Sequence, residues 1–510
     1  MVNTGKASHG CAVCRQRRIK CDLARPACSQ CIKAGWECPG PKVQADVIFK
    51  DQTALVMRKA GSDTPNSWTS DSAPRSPGFI RAVSPPTSDR GTAFFMHQYS
   101  FSGNAASNLN KSRGLHEYLP NLLRDEPGNG PLKAIVAAAG LAALSSTGNA
   151  KTWAAESYRL YNQAIRQLQH ALSGSLTACS DGTLAAMMLM STFEIFKAIA
   201  SGDLDSMKFY WDHTIAAGRC IGLRGPAQFR GDVQLKMFLE LRRTIFMTCH
   251  QLQTSIPSEI ETWSSWAESA LQPDELCSNR FTEINVRLSN IRAGLKLRGV
   301  TTPKTIITEL LPIEEQLNEW KETVPRAWQI ETFRSTDQDI VSTKMWQSRY
   351  DMYEDFWKAV VWNGFRAVRM VVHEAIIKAI VNSRAMAYQD QLQLSVAALK
   401  ETVDDVCASV PYLLGYYRRD GSGSIAQTQE PQSASLPIPG GWLLVWPLFQ
   451  AAMVRTTPRS QRDCIAEVLR HIGLTMGLKL AISMAEVLAK NDTILADGDS
   501  WLTGDFTVLK

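Results

Sequence analysis

Most of this chain has little that would mark it for a membrane, for secretion or for catalysis. No apolar run reaches the roughly 18 residues of a membrane span. The nearest stretches, 135–144 and 441–453, are too short or carry Pro447 and Gln450, and read as buried helix or turn. The first ten residues are polar with no apolar segment behind them, so no secretory signal is read and a reducing intracellular compartment is expected. No G-x-G-x-x-G follows a strand pattern, and Walker A, G-x-S-x-G and H-E-x-x-H motifs are missing. His116-Glu117 runs on into Tyr-Leu-Pro and His373-Glu374 into Ala-Ile-Ile, neither with a second histidine. An enzyme is therefore not expected. The aromatic interleaving that stacks unpaired bases is also missing, which argues against an RNA-binding module.

Charge is scarce as well, except in one place. The 510 residues carry a formal +6, with 20% charged and 45% hydrophobic residues. From Met1 to Pro41, seven basic residues (Lys6, Arg15, Arg17, Arg18, Lys20, Arg25, Lys33) face two acidic ones, Asp22 and Glu37. That segment holds +5 and leaves about +1 for the other 469 residues, a compact electropositive footprint for a polyanion. A chain of this length also exceeds one ordinary core, so two or more folded units are expected.

Cysteine divides in the same way. Six of the twelve lie between Cys11 and Cys38, and Cys179, Cys220, Cys249, Cys277, Cys407 and Cys464 are scattered singly, as small buried hydrophobes would be. Cys11, Cys14, Cys21, Cys28, Cys31 and Cys38 follow C-x2-C-x6-C-x6-C-x2-C-x6-C, one unit used twice. A C-x2-C pair brings two thiolates to one metal, and the third cysteine closes from a short segment onward. Two tetrahedral zincs need eight ligand positions, which six cysteines fill only if two of them bridge. The repeat makes the first cysteine of each half, Cys11 and Cys28, the natural bridges. Two Zn2+ per chain would then supply the folding energy that so short a segment cannot draw from a core. Between the ligands, Arg15, Arg17, Arg18 and Lys20 form the run RQRRIK, read as a short helix leaving the first zinc-binding turn and suited to the major groove of double-stranded DNA. Trp36 is read as a small core anchor or a stacking surface, and His9 as a solvent or phosphate neighbour.

The segment CAVCRQRRIKCDLARPACSQCIKAGWEC resembles the fungal Zn2Cys6 (zinc binuclear cluster) transcription factors. It has the C-x2-C pair, the basic run ending in Lys20-Cys21-Asp22, Pro26 ahead of the fourth cysteine, and the second C-x2-C. The resemblance implies bridging by Cys11 and Cys28, and places Arg17 and Arg18 where family members read a CGG-type half-site. Lysine is the commoner residue at the position of Arg18, a departure that keeps the donor and leaves the contact geometry open.

Beyond residues 1–41, residues 42–110 read as a linker, with one amphipathic helix at 47–60 too short for a two-stranded coiled coil. From 61 to about 110 the Ser, Pro, Gly, Thr and Asp composition predicts a disordered tether, with Ser76-Pro77 and Ser84-Pro85 as candidate phosphorylation sites and Phe94, Phe95 and Tyr99 beginning the ordered body. Residues 111–510 read as a large all-α regulatory domain. Tyr158, Tyr161, Ile165, Leu168 and Leu172 form one stripe, and 184–199 reads as a central buried helix. Further helices are expected at 205–221, 232–254, 281–297, 305–321, 345–381, 390–410, 446–455 and 459–488, with a surface loop at 419–441. HEYLPNLL (from His116), KFYWDHTIAAGRCIGLRG, WPLFQAA and HIGLTMGLKLA resemble the fungal-specific regulatory domain that accompanies such clusters, which implies a domain that regulates or dimerises. Trp211 and His213 are read as a packed Trp and a satisfied His rather than a ligand site.

Together these readings describe a nuclear, sequence-specific DNA-binding transcription factor, with RQRRIK also serving as an import signal. A homodimer through the helical domain, or a monomer, and transcriptional coregulators are its expected partners, with no membrane. Activation is favoured over a repressor, a dual regulator or a zinc-structured adaptor. The C-terminal mix of Asp492, Asp497, Asp499 and Asp505 with Leu495, Trp501, Leu502 and Phe506 is a candidate coactivator contact.

Overall fold

The computed structural model describes residues 10–24, 26–40, 85–101, 114–146, 150–201, 205–335, 345–419, 425–427 and 440–490. The expected helix at 47–60, both Ser-Pro serines and the acidic C-terminal segment lie outside the described residues. The chain forms two compact units, 1–82 and 83–510. In the first, α1 spans Ala12–Gln16 and α2 spans Ser29–Lys33.

The second unit is a helical body. It opens with α3 (Thr87–Tyr99), α4 (Leu119–Asp125), α5 (Pro131–Leu144), α6 (Ala150–Ser173) and the single turn α7 (Ser175–Ala178). It continues through α8 (Asp181–Ser201), α9 (Asp205–Arg224), α10 (Asp232–Leu252), α11 (Glu259–Glu268), α12 (Leu276–Leu297) and α13 (Pro303–Thr323). Strands β1 (Glu331–Arg334) and β2 (Arg349–Met352) precede α14 (Phe356–Ser383) and α15 (Gln389–Leu413). Strands β3 (Tyr417–Arg419) and β4 (Ile425–Gln427) come next, then α16 (Gly441–Met453), α17 (Arg459–Met476) and α18 (Lys479–Lys490). Among the described residues no helix is long and apolar enough to cross a membrane.

Helix α5 is central because it is buried almost all round, from Leu132 through Ala143. Pro131 opens it at a position where a missing N–H costs nothing, and the Glu126 carboxylate accepts from the Leu132 and Lys133 amides at 2.5 and 2.6 Å. Helices α3, α6 and α8 pack on it. On α6, Tyr161 and Leu168 are buried and Ile165 is partly so, while Tyr158 and Leu172 at the ends of the expected stripe are exposed. The expected central helix is α8, buried from Leu184 to Met190.

Three expectations are corrected. First, the tether read over 61–110 contains α3. Gly91, Phe95, Gln98 and Tyr99 share one buried face at helical spacing, and Tyr99 Oη donates to the Met476 carbonyl at 2.6 Å. The Pro-Pro-Thr-Ser-Asp stretch that resembles a tether is the start signal of this helix. A Cβ on Gly140 of α5 would stand 1.8 Å from the Gly91 carbonyl oxygen, so the two backbones touch where neither has a side chain. Second, 345–381 is not one helix. Asp351 of β2 is fully buried and accepts from Arg366 Nη2 at 2.9 Å and Thr332 Oγ1 at 2.8 Å. β2 pairs antiparallel with β1, Glu331 opposite Met352, and Asp355 caps α14 by accepting from the Lys358 amide at 2.8 Å. These bonds outweigh the helical preference of the segment. Third, β4 lies within the range read as a loop and pairs with β3 at the edge of that range, and 459–488 is two helices parted at Gly477 and Leu478.

Gly140→Ala should force α3 and α5 apart and lower stability by about 1–3 kcal/mol, the usual cost of overpacking. Thermal or urea unfolding of the full chain measures this, and an unchanged midpoint would mean that α3 does not dock through Gly91 and Gly140.

Candidate metal centre and nucleic-acid interface

The six cysteines come together in two overlapping groups. Cys11, Cys14, Cys21 and Cys28 form one and Cys11, Cys28, Cys31 and Cys38 the other, each with all sulfurs within 4.8 Å of one another. Cys11 and Cys28 belong to both. Their Sγ atoms lie 3.8 Å apart, Cys11 and Cys31 3.7 Å, and Cys14 and Cys28 3.6 Å. A tetrahedral zinc with sulfur at about 2.3 Å sets its ligands about 3.8 Å apart, so these distances fit two tetrahedra sharing the Cys11–Cys28 edge. They are far beyond the roughly 2.05 Å of a disulfide. The donor set therefore fits two Zn2+, which the cluster binds.

Backbone and side chain prepare the sulfurs unequally. The Cys11 amide donates to Cys21 Sγ and the Cys28 amide to Cys38 Sγ, each at 3.4 Å. Those amides hold the Cys21 thiol below its ordinary range and bring Cys38 down to about 7. Burial and the neighbouring cysteine thiols push Cys14 up to about 12, and Cys31 upward too. A cation at the centre favours the thiolate form of such crowded sulfurs.

The two halves repeat in backbone as well as in sequence, Cys11 and Cys28 being 17 residues apart. The Ile19 amide donates to the Cys14 carbonyl at 3.0 Å, and the Trp36 amide to that of Cys31 at 2.9 Å. Each bond closes a short helix with a Schellman turn, whose next-to-last residue is left-handed. That residue is Arg18 (φ 55°) in the first half and Gly35 (φ 66°) in the second. Leu23 (φ 61°) and Gly40 (φ 79°) match in the same way. The second half uses glycine where the conformation costs a side chain about 1–2 kcal/mol, and the first half does not.

This corrects the reading of RQRRIK as one helix. Arg15 lies on α1, which stops at Gln16, Arg17 and Arg18 form the turn, and Lys20 follows outside any helix or strand. Arg17, Arg18 and Lys20 are all exposed. The Arg17 guanidinium sits 4.1 Å over the Trp36 ring, tying the basic turn of one half to the other half, so Trp36 is a stacking surface for the protein's own arginine. Asp22 also links the halves, accepting from the Ser29 amide at 3.2 Å at the start of α2, and this bonding with Ser29 holds its carboxyl below the usual range. Of the two readings of Trp36 the structure takes the stacking surface, with Arg17 as its partner; the left-handed Arg18 has its sequence signal in the alignment with Gly35 across the repeat.

In the body, His213 Nε2 lies 3.2 Å from Tyr161 Oη, which donates to Glu194. Trp211 packs on the core, so the reading of a packed Trp and a satisfied His matches their surroundings. Cys220, Cys249, Cys277 and Cys407 are buried, and Cys179 and Cys464 partly so.

Cys28→Ala removes a ligand common to both groups. It should release both zincs and unfold residues 1–41, read by zinc content and by amide spectra. A variant that still holds two zincs would contradict the shared edge.

Residues 9–44 match the fungal Zn(2)-Cys(6) binuclear cluster domain, and residues 105–325 match the fungal specific transcription factor domain. Among curated relatives, the transcriptional regulatory protein moc3 of Schizosaccharomyces pombe is 35% identical over 103 residues, covering 20% of this chain and 16% of the relative. The transcription activator AMTR1 of Alternaria alternata is 41% identical over 59 residues, 11% of this chain and 7% of the relative. The aspercryptin biosynthesis cluster-specific transcription regulator atnN of Emericella nidulans is 40% identical over 58 residues, 11% of this chain and 10% of the relative. The matches thus span only a small part of either partner. No solved structure matches the chain. With a two-zinc cysteine cluster at one end and a helical regulatory domain behind it, the chain belongs to the fungal Zn2Cys6 transcription factors.

Proposed function

We propose that this chain regulates transcription in the nucleus by binding double-stranded DNA through its zinc cluster. The observation that carries the reading is the exposed basic turn. Arg18 is held in a left-handed conformation, with Lys20 beside it, on a scaffold cross-linked by the ligands of two zincs. A side chain kept at a position where the other half of the repeat uses glycine points to a use for that side chain. The guanidinium suits guanine O6 and N7 in the major groove. Arg17, stacked on Trp36, is pre-oriented for the same groove or its phosphates. By family resemblance the target is a CGG-type half-site.

The three relatives above are named as regulators or activators of transcription, which supports regulation as the role of this chain. Activation is the favoured sign by family resemblance, with the acidic and aromatic residues between Asp492 and Phe506 as a candidate coactivator contact. The helical body is the proposed dimer contact.

Arg18→Ala should weaken binding to the selected site by about 1–3 kcal/mol and relax its preference, with zinc content unchanged. Titration against the site and against scrambled DNA measures both. An equal loss on every sequence would assign Arg18 to phosphate. Selection of genomic fragments by the zinc-loaded full chain tests the broader claim: paired triplets at fixed spacing indicate a dimer and single triplets a monomer. No enrichment would instead favour the adaptor reading.

A further inference from the structure

The helical body contains a pocket of about 220 Å³ between α10, α12, α14 and α16. For comparison, a cavity of about 150 Å³ admits benzene. Phe246, Phe281, Trp357, Val361 and Trp446 contribute apolar wall. Such a wall disfavours a bare inorganic ion and suits a hydrocarbon or aromatic body.

The polar groups at this pocket are unevenly matched. Lys236 pairs with Glu117 at 3.0 Å. Glu240 is taken up by His116, through Nδ1 at 2.5 Å and the backbone amide at 3.2 Å. Burial opposes ionisation of Glu240, but the His116 contacts, together with the charge of Arg243, hold its carboxyl below the usual range. Arg242 turns away to Ser264 and Asn279. Arg292 donates to the His250 carbonyl at 3.0 Å. Burial, and then the Arg292 charge, bring the His250 imidazole down to about 4, so it is neutral.

Arg243 differs from all of these. It is half-buried and lines the pocket. Among the described residues no carboxylate comes within 4 Å of it, and its one hydrogen bond is from Nη1 to the Met247 sulfur at 3.5 Å, a poor acceptor. Burial pulls its pKa below the ordinary arginine value, yet a guanidinium remains charged. The charge of Glu240 acts on the guanidinium without a direct contact, and both carboxylate oxygens of Glu240 are taken up by His116, so the Arg243 N–H groups have no oxygen acceptor among the described residues.

We propose that this pocket binds a small organic acid, with its apolar body against the aromatic wall and its carboxylate on the guanidinium of Arg243. The volume suits a monocarboxylate of roughly a dozen non-hydrogen atoms. Arginine supplies two parallel N–H donors to such a group, and the surrounding apolar wall strengthens that contact. The site is separate from the zinc cluster and does not depend on the DNA-binding reading.

The test uses the zinc-loaded full chain and two matched probe pairs, 4-phenylbutyrate and octanoate against their neutral amides, with inorganic phosphate as a third probe. Calorimetry and melting temperature should show both acids binding at least tenfold more tightly than their amides, and no effect of phosphate. Arg243→Gln should bring acid affinity down to that of the amide, while Arg243→Lys keeps most of the preference. The melting temperature of ligand-free Arg243→Gln should fall only modestly, since Glu240 keeps its direct contacts with His116 and loses only the more distant charge of Arg243. No binding by either acid at millimolar concentration, equal binding of acid and amide, or acid binding unchanged in Arg243→Gln would each overturn the proposal. The first two outcomes are read on the unaltered chain and do not depend on the variant folding.

Discussion

The small unit depends on one edge, the pair of sulfurs at Cys11 and Cys28 that both zinc tetrahedra must share. Six ligands cannot satisfy two four-coordinate ions otherwise, and the sulfur distances of 3.6–3.8 Å along that edge and beside it are those a zinc imposes. Sharing the edge brings two chain segments 17 residues apart into register. Each segment then turns through the same short helix, the same Schellman closure and the same two left-handed residues. The basic turn is therefore positioned by metal coordination rather than by a core, and Arg17 over Trp36 and Asp22 on the Ser29 amide fasten one half to the other.

The body solves a different problem, that of packing a helical core with buried charge inside it. Backbone contact at Gly91 and Gly140 lets α3 lie close on α5, and Tyr99 extends the tie to the end of α17. Further along, Asp351 and Arg366 are both buried and bonded at 2.9 Å, with Tyr353 and Asn363 completing the arginine's partners. Asp351 pairs with Arg366 directly, whereas Arg243 feels the charge of Glu240 without a direct ion pair and leaves its N–H groups toward the pocket lining. That contrast is why Arg366 reads as structure and Arg243 reads as a site.

The sequence makes the zinc cluster legible because spacing alone determines how ligands can reach a metal. Helix positions in the body are also readable where apolar residues recur at steps of three and four, as in α6. The misses share a physical cause. Local composition around Pro85 to Asp89 looks like a linker, and only the distant Gly140 shows what α3 packs against. The segment at 345–355 has helical propensity that buried side-chain bonds to Asp351 override. The basic run was read by charge, while its conformation follows from a turn visible only when the halves are superimposed. No motif marks Arg243, since its place at the pocket without a direct carboxylate contact is a property of three-dimensional packing.

The shared edge can be tested most directly by replacing zinc with cadmium-113 and correlating the metal resonances with cysteine β-protons. The structure predicts two cadmium signals, with Cys11 and Cys28 protons coupled to both. Cys14 and Cys21 should couple to one signal alone, and Cys31 and Cys38 to the other alone. A single cadmium signal, or two signals with no cysteine common to both, would contradict the account.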